Sequence, residues 1–159
     1  MKKIFALLLM VVMSVTLLAG CGSDPVYDDL ENFINVEMVE VNENHTKIAE
    51  AYATMQTLED DETLAKHIED VLPIVEESIE KIEKIAPATE EVTALKEIYS
   101  AMLEAYKAGF EMLLEGCYTQ EDVAIEAGIE FMNTAAEALE IYNETVEEIA
   151  KEHGGEVEY

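Results

Sequence analysis

The sequence predicts an all-α fold: an antiparallel up-down-up-down four-helix bundle behind a cleavable N-terminal leader. Three observations carry that expectation. Beyond Asp24 the apolar residues recur at spacings of three and four in four long stripes, the connections between stripes are short, and no segment alternates as a strand does. Stripes of this length correspond to helices roughly 40–50 Å long at 1.5 Å per residue, and turns near 57–61, 86–89 and 116–119 leave room only for antiparallel neighbours.

The first stripe is Tyr27, Leu30, Ile34, Met38, Val41, His45, Ile48, Tyr52 and Met55, opened by Asp24 as a capping carboxylate and Pro25 at the first helical position. The second is Leu64, Ile68, Val71, Val75, Ile79, Ile82 and Ile85. The acidic run Glu59-Asp60-Asp61-Glu62 suits its N-terminus, and Pro87 stops it. Pro73 falls inside this stripe with the register intact on both sides, which predicts a kinked helix, with a break into two short helices as the alternative.

Val92, Leu95, Tyr99, Met102, Tyr106, Phe110 and Leu113 form the third stripe, opened by Thr89 and closed by Gly116. The fourth is Ile125, Gly128, Met132, Ala135, Leu139, Tyr142, Val146 and Ile149. Thr119 with Asp122 would open it as a loose capping box, and Gly154-Gly155 would close it.

Composition narrows the function. The chain has 159 residues, half of them apolar, enough for one domain with its own core and too many for a disordered acidic tail. It carries 36 Asp and Glu against nine lysines and no arginine, for a formal charge of −27. That balance excludes nucleic acid as a partner, since phosphates require facing cations. It favours a basic peptide or a cationic envelope protein. The acids fall mostly off the apolar stripes, with i,i+4 relief expected from Glu43–Lys47, Glu62–Lys66, Glu77–Lys81, Glu80–Lys84 and Glu147–Lys151.

The first 21 residues give an address. Lys2 and Lys3 precede an apolar stretch from Ile4 to Leu18, too short for a permanent span of about 20 residues, which ends in Leu18-Ala19-Gly20-Cys21. This resembles the lipobox of bacterial lipoprotein signal peptides. The resemblance implies diacylglycerol on Cys21, cleavage before it, and anchoring in the cell membrane on the extracytoplasmic face, because two or more acyl chains hold where one does not. An uncleaved anchor or a soluble secreted form is the alternative. The expected organisation is a signal peptide over 1–20, a lipidated N-terminus and linker over 21–24, the bundle over 25–153 and a tail over 154–159. With Cys21 lipidated, Cys117 has no intramolecular disulfide partner and reads as a small residue of a loop at a helix end.

Motifs for chemistry are scarce. The residues three before His45, His67 and His153 are Asn42, Leu64 and Ala150, so the Glu-x-x-His pairs of di-iron bundles are missing. The His-x-x-Glu mark of imelysin-like iron-uptake lipoproteins is met only by His153 and Glu156, beyond the last helix. His-Glu-x-x-His, haem-attachment and phosphate-loop patterns do not occur, and Glu59–Glu62 lacks the spacing of an EF-hand. Asn44-His45-Thr46 and Asn143-Glu144-Thr145 match the glycosylation pattern without relevance behind a bacterial lipobox.

The expectation is therefore a non-catalytic acidic interaction module with no cofactor and no resident metal. An alternative uses a mid-bundle layer of His45, Tyr99, Tyr106 and Tyr142, with Gly109, Gly128 and Ala135 as thin walls, as a pocket for a small ligand or metal carrier. The commoner meaning of such a layer is a set of core residues whose polar tips find water or each other.

Overall fold

In the computed structural model of the protein, which describes residues 16–18, 24–58 and 60–158, the chain enters its first helix through Asp24. Asp24 stands in extended backbone, and its Oδ1 accepts from the backbone N–H of Val26 (2.9 Å) and Tyr27 (3.3 Å). These are two of the donors that a helix start leaves without an intrahelical partner, and Pro25 sits where its missing donor costs nothing. Helix α1 spans Pro25–Asn32, a π-helical segment follows over Phe33–Glu37, and α2 spans Val39–Met55. Helix α3 (Asp61–Lys84), α4 (Glu90–Thr119) and α5 (Asp122–Glu152) complete a body of five packed helices.

The helical expectation holds for that body. A short antiparallel ribbon departs from it, β1 (Thr16–Leu18) against β2 (Glu156–Glu158), with Leu17 opposite Val157. The ribbon joins the expected leader to the expected tail, so cleavage before Cys21 would leave β2 without this partner.

The stripes mark the core. Leu30, Met38, Ile48, Ile68, Val75, Val92, Leu95, Met102 and Phe110 are fully buried, and each large apolar side chain so buried contributes about 1.5–3 kcal/mol. The first helix is not continuous, however. The Met38 N–H reaches back five residues to the Phe33 carbonyl at 2.9 Å, which widens one turn. The widened turn brings both Phe33 and Ile34 into the core and leaves Val36 two-thirds exposed.

Helix α3 runs unbroken through Pro73, which rules out two short helices. Pro73 and Glu69 both lie on the exposed face, so the Glu69 carbonyl that loses its donor is on the wetted side. Asp60 caps α3 by accepting from the Thr63 N–H at 2.8 Å.

Two expected boundaries move at the next turn. Gly116 lies inside α4, close against Ile125, and the helix ends only at Gln120, whose left-handed backbone (φ 57°) lets its N–H bond the Gly116 carbonyl at 2.8 Å. Thr119 is thus the last residue of α4, with its hydroxyl on the Glu115 carbonyl, and no capping box opens α5. Cys117 is accordingly a buried residue of the last helical turn and not of a loop. Gly154 (φ 83°) closes α5 with the N–H of Gly155 on the Ala150 carbonyl at 2.7 Å, a closure that suits glycine.

Of the five i,i+4 ion pairs expected, Glu77–Lys81 closes at 2.9 Å. The other four do not close; Lys47 donates to Asn44 instead, and Lys81, besides its pair with Glu77, bridges to Glu40 on α2 at 2.7 Å.

The start of α1, the end of α5 and the α3–α4 turn meet at one end of the body. The His153 imidazole lies 2.9 Å from the Asp24 carboxylate. The Asp29 carboxylate of α1 accepts from the Ala88 N–H, the Thr89 N–H (2.9 Å) and the Thr89 hydroxyl (2.7 Å), so Thr89 does not cap α4 with its own side chain. Asp29→Ala is expected to lower stability by about 1 kcal/mol and to raise amide exchange at 88–93 selectively, measured by denaturation and hydrogen exchange. Uniform exchange changes would reject a local clamp.

Candidate functional site

All four residues of the proposed mid-body layer come together. His45 on α2 is fully buried, and its Nδ1 lies 2.9 Å from the Tyr99 hydroxyl of α4. Tyr99 Oη also lies 3.4 Å from Asn42 Oδ1. The His45 ring meets Tyr106 edge-on, with centroids 5.8 Å apart, and Tyr99 meets Tyr142 of α5 edge-on at 5.0 Å. Tyr106 in turn stacks on Phe110 at 6.3 Å. Such offset and edge-on pairs add about 0.5–1.5 kcal/mol each beyond their burial.

The layer is electrically neutral. Burial pushes the His45 imidazole down to about 4, so it carries no charge at neutral pH. Burial likewise raises the Tyr99, Tyr106 and Tyr142 hydroxyls, so none supplies a phenolate. The Tyr99 hydroxyl has one proton for two acceptors. Given to Asn42, it leaves His45 protonated on Nδ1 with a bare Nε2; given to His45, it makes Nε2 an N–H donor. In both cases Nε2 is buried without a hydrogen-bond partner among the described residues. Tyr99→Phe removes the hydroxyl that both acceptors share, and about 1–2 kcal/mol of stability is expected to go with it, read by chemical denaturation. An unchanged midpoint would show the bond to be idle.

The small residues do not open a cavity. A Cβ on Gly109 would lie 3.2 Å from the Gly128 carbonyl oxygen, and one on Gly128 would lie 2.7 Å from Leu113 Cγ. The glycines let α4 and α5 close on each other, so the expected thin walls are a tight helix contact. A shallow depression of about 270 Å³ lies instead against Ala88, Thr89, Thr93 and Glu97, at the end of the body.

Asn42 belongs to the layer although the sequence reading passed over it. Its position three residues before His45, on the same helix face, is the signal that could have found it. Asn44 and Ser78 are further buried polar residues off the expected stripes.

The remaining candidates lie elsewhere. His67 Nε2 is 3.2 Å from the Ala51 carbonyl and ties α3 to α2, while His153 pairs with Asp24 and holds its carboxyl below the usual range. Burial raises the Cys117 thiol, with Asp61 adding to the effect, which disfavours the reactive thiolate. Asp60 is occupied by the Thr63 N–H, and among the described residues no three His, Cys, Asp or Glu side chains are grouped to hold a metal ion. Cys21 and the Ala19-Gly20 before it lie outside the described residues. No described helix is long and apolar enough to cross a membrane.

Comparison with models of known families, with curated proteins and with solved structures finds no match for this chain.

Proposed function

We propose that the protein is a lipoprotein anchored through Cys21 on the extracytoplasmic face of the cell membrane, and that its body is a non-catalytic acidic binding module for a cationic peptide or envelope protein. With α1, the π-helical segment and α2 taken as one interrupted rod, the body is an up-down-up-down four-helix bundle. The packing of α2 on α3, α3 on α4 and α4 on α5 supports that topology.

The observation that carries the reading is the polarity of this body. Asp24, three residues after Cys21, is tied to His153, and Asp29 is tied to the 88–89 turn. A lipid on Cys21 would therefore hold this end at the bilayer and turn the 120–121 connection outward. With residues 1–20 removed, 36 acids against seven lysines then draw cations at range, within the Debye length of about 8 Å at physiological salt.

Labelled palmitate is expected in the wild-type protein and not in Cys21→Ser, and the wild type is expected to retain a lysine-rich peptide at low ionic strength and release it in salt. Failure of labelling removes the anchor; failure of retention removes the cationic partner.

The buried, unpartnered His45 Nε2 favours a second reading, a carrier of a small hydrogen-bonding molecule in the aromatic layer. A ligand-dependent rise in the thermal unfolding temperature that disappears in His45→Ala would support it. No rise across a panel of small polar ligands and divalent metals would end it.

A further inference from the structure

Helix α5 carries two uncharged stripes, and the core accounts for only one of them. Gly128, Met132, Ala135, Leu139 and Val146 face inward and are buried. A second row, Ala127, Phe131, Thr134, Ala138, Ile141 and Thr145, keeps the alternation of four and three residues and begins one turn earlier at Val123. At about 100° per residue these positions fall within an arc of about 60° and run along about 33 Å of one unbroken helix. Such spacing marks a helix face that meets another helix.

The second row is wet. Val123 is 76 % exposed, Ile141 52 % and Phe131 40 %. Among the described elements only α4 packs along α5 at length, and it does so where Gly109 meets Gly128 and Met132, on the inward stripe. The two edges of the wet row differ. On one, Ala124, Tyr142 and Ile149 turn into the core. On the other stand Glu126, Glu130, Glu137 and Glu144, all exposed and none in an ion pair among the described residues. Lys81 and Lys107 are spent on Glu40, Glu77 and Glu76, and α5 itself has no lysine before Lys151.

We propose that this outer face of α5 is the docking site of one amphipathic helix, with an apolar stripe and a row of lysine or arginine along a single edge. Its apolar anchors would recur at i, i+3, i+4 and i+7 beside Phe131 and Ile141, and its basic row would meet the unpaired glutamates. A second copy of α5 brings glutamates of its own and no lysine to meet them, which disfavours it.

The proposal rests on the cationic-partner reading and narrows it to one helix face and one partner shape. The test titrates the full chain with a fluorescent synthetic helix, leucine at heptad a and d positions and lysine along one edge, and with a scramble of the same composition. The helix is expected to bind about tenfold tighter than the scramble. Val123→Glu and Ile141→Glu are each expected to weaken it about tenfold with thermal unfolding unchanged, although each adds negative charge that would strengthen a purely electrostatic contact. Val36→Glu, at a position 66 % exposed and outside α5, is expected not to weaken it. Equal binding of both peptides, or a loss from Val36→Glu as large as from Ile141→Glu, would overturn the docking site and leave the acidic-surface reading standing. Binding of neither peptide at low salt would overturn both. A concentration-dependent dimer abolished by Ile141→Glu would give the face to a second copy and overturn the proposal.

Discussion

Between pH 7 and pH 4 the wild-type protein is expected to lose about 3 kcal/mol of stability relative to His45→Gln. The cause is the buried imidazole of His45, which is held down to about 4 against an ordinary value of 6.5. In this window the unfolded chain binds a proton that the folded chain refuses, so protons favour unfolding. The contribution is complete above pH 6.5 and falls as pH drops towards 4. Acid also neutralises surface glutamates and relieves their mutual repulsion, an effect of opposite sign. The comparison with His45→Gln removes it, because both proteins carry the same 36 acids. Denaturant midpoints of the two proteins at several pH values give the result. Parallel curves would show that His45 takes up its proton in the folded state, and the layer would then be wet.

Gly128→Val is expected to lower stability by about 3 kcal/mol, at the upper end for overpacked interfaces. Even the first carbon of the new side chain would fall 2.7 Å from Leu113 Cγ and 3.0 Å from the Gly109 carbonyl oxygen. Leu113 can turn aside, but the carbonyl belongs to the α4 backbone, so the helices themselves must separate. Better helix propensity over glycine offsets at most about 1 kcal/mol of that cost. Gly154 makes the useful contrast. Its Cβ would meet nothing, and Gly154→Ala is opposed only by the positive φ of 83°. Thermal and chemical unfolding should rank Gly128→Val well below Gly154→Ala, and equal stabilities would mean that α4 and α5 are not in close contact.

Much of the fold was legible because burial in long helices leaves a periodic trace. Every residue of the third stripe, from Val92 to Leu113, is buried, and so is His45, the one polar member of the first. The π-helical segment left a fainter mark. Leu30, Ile34 and Met38 are spaced four and four, where a regular stripe would alternate with three, and the widened turn absorbs that excess. The end of α4 and the start of α5 lie beyond the expected boundary because Gly116 reads equally as a stop and as a thin spot for a neighbouring helix. Only the position of Ile125 distinguishes the two.

For the candidate site, residue types and heights were readable and their meaning was not. The sequence brought His45, Tyr99, Tyr106 and Tyr142 to one level. It could not say whether Gly109 and Gly128 hollow out a pocket or let two helices touch, since that depends on the distance between backbones. Nor could it show that Glu40 reaches across to Lys81 on α3.

By itself the sequence determined the helical class, the core faces and the acidic field, because each follows from the period and chemistry of residues taken along one helix. The tertiary structure decided how the aromatic layer closes, how the start of α1 meets the end of α5, and how closely α4 and α5 approach. These depend on the rotation and separation of whole helices, and side chains distant in sequence set those only after they have packed.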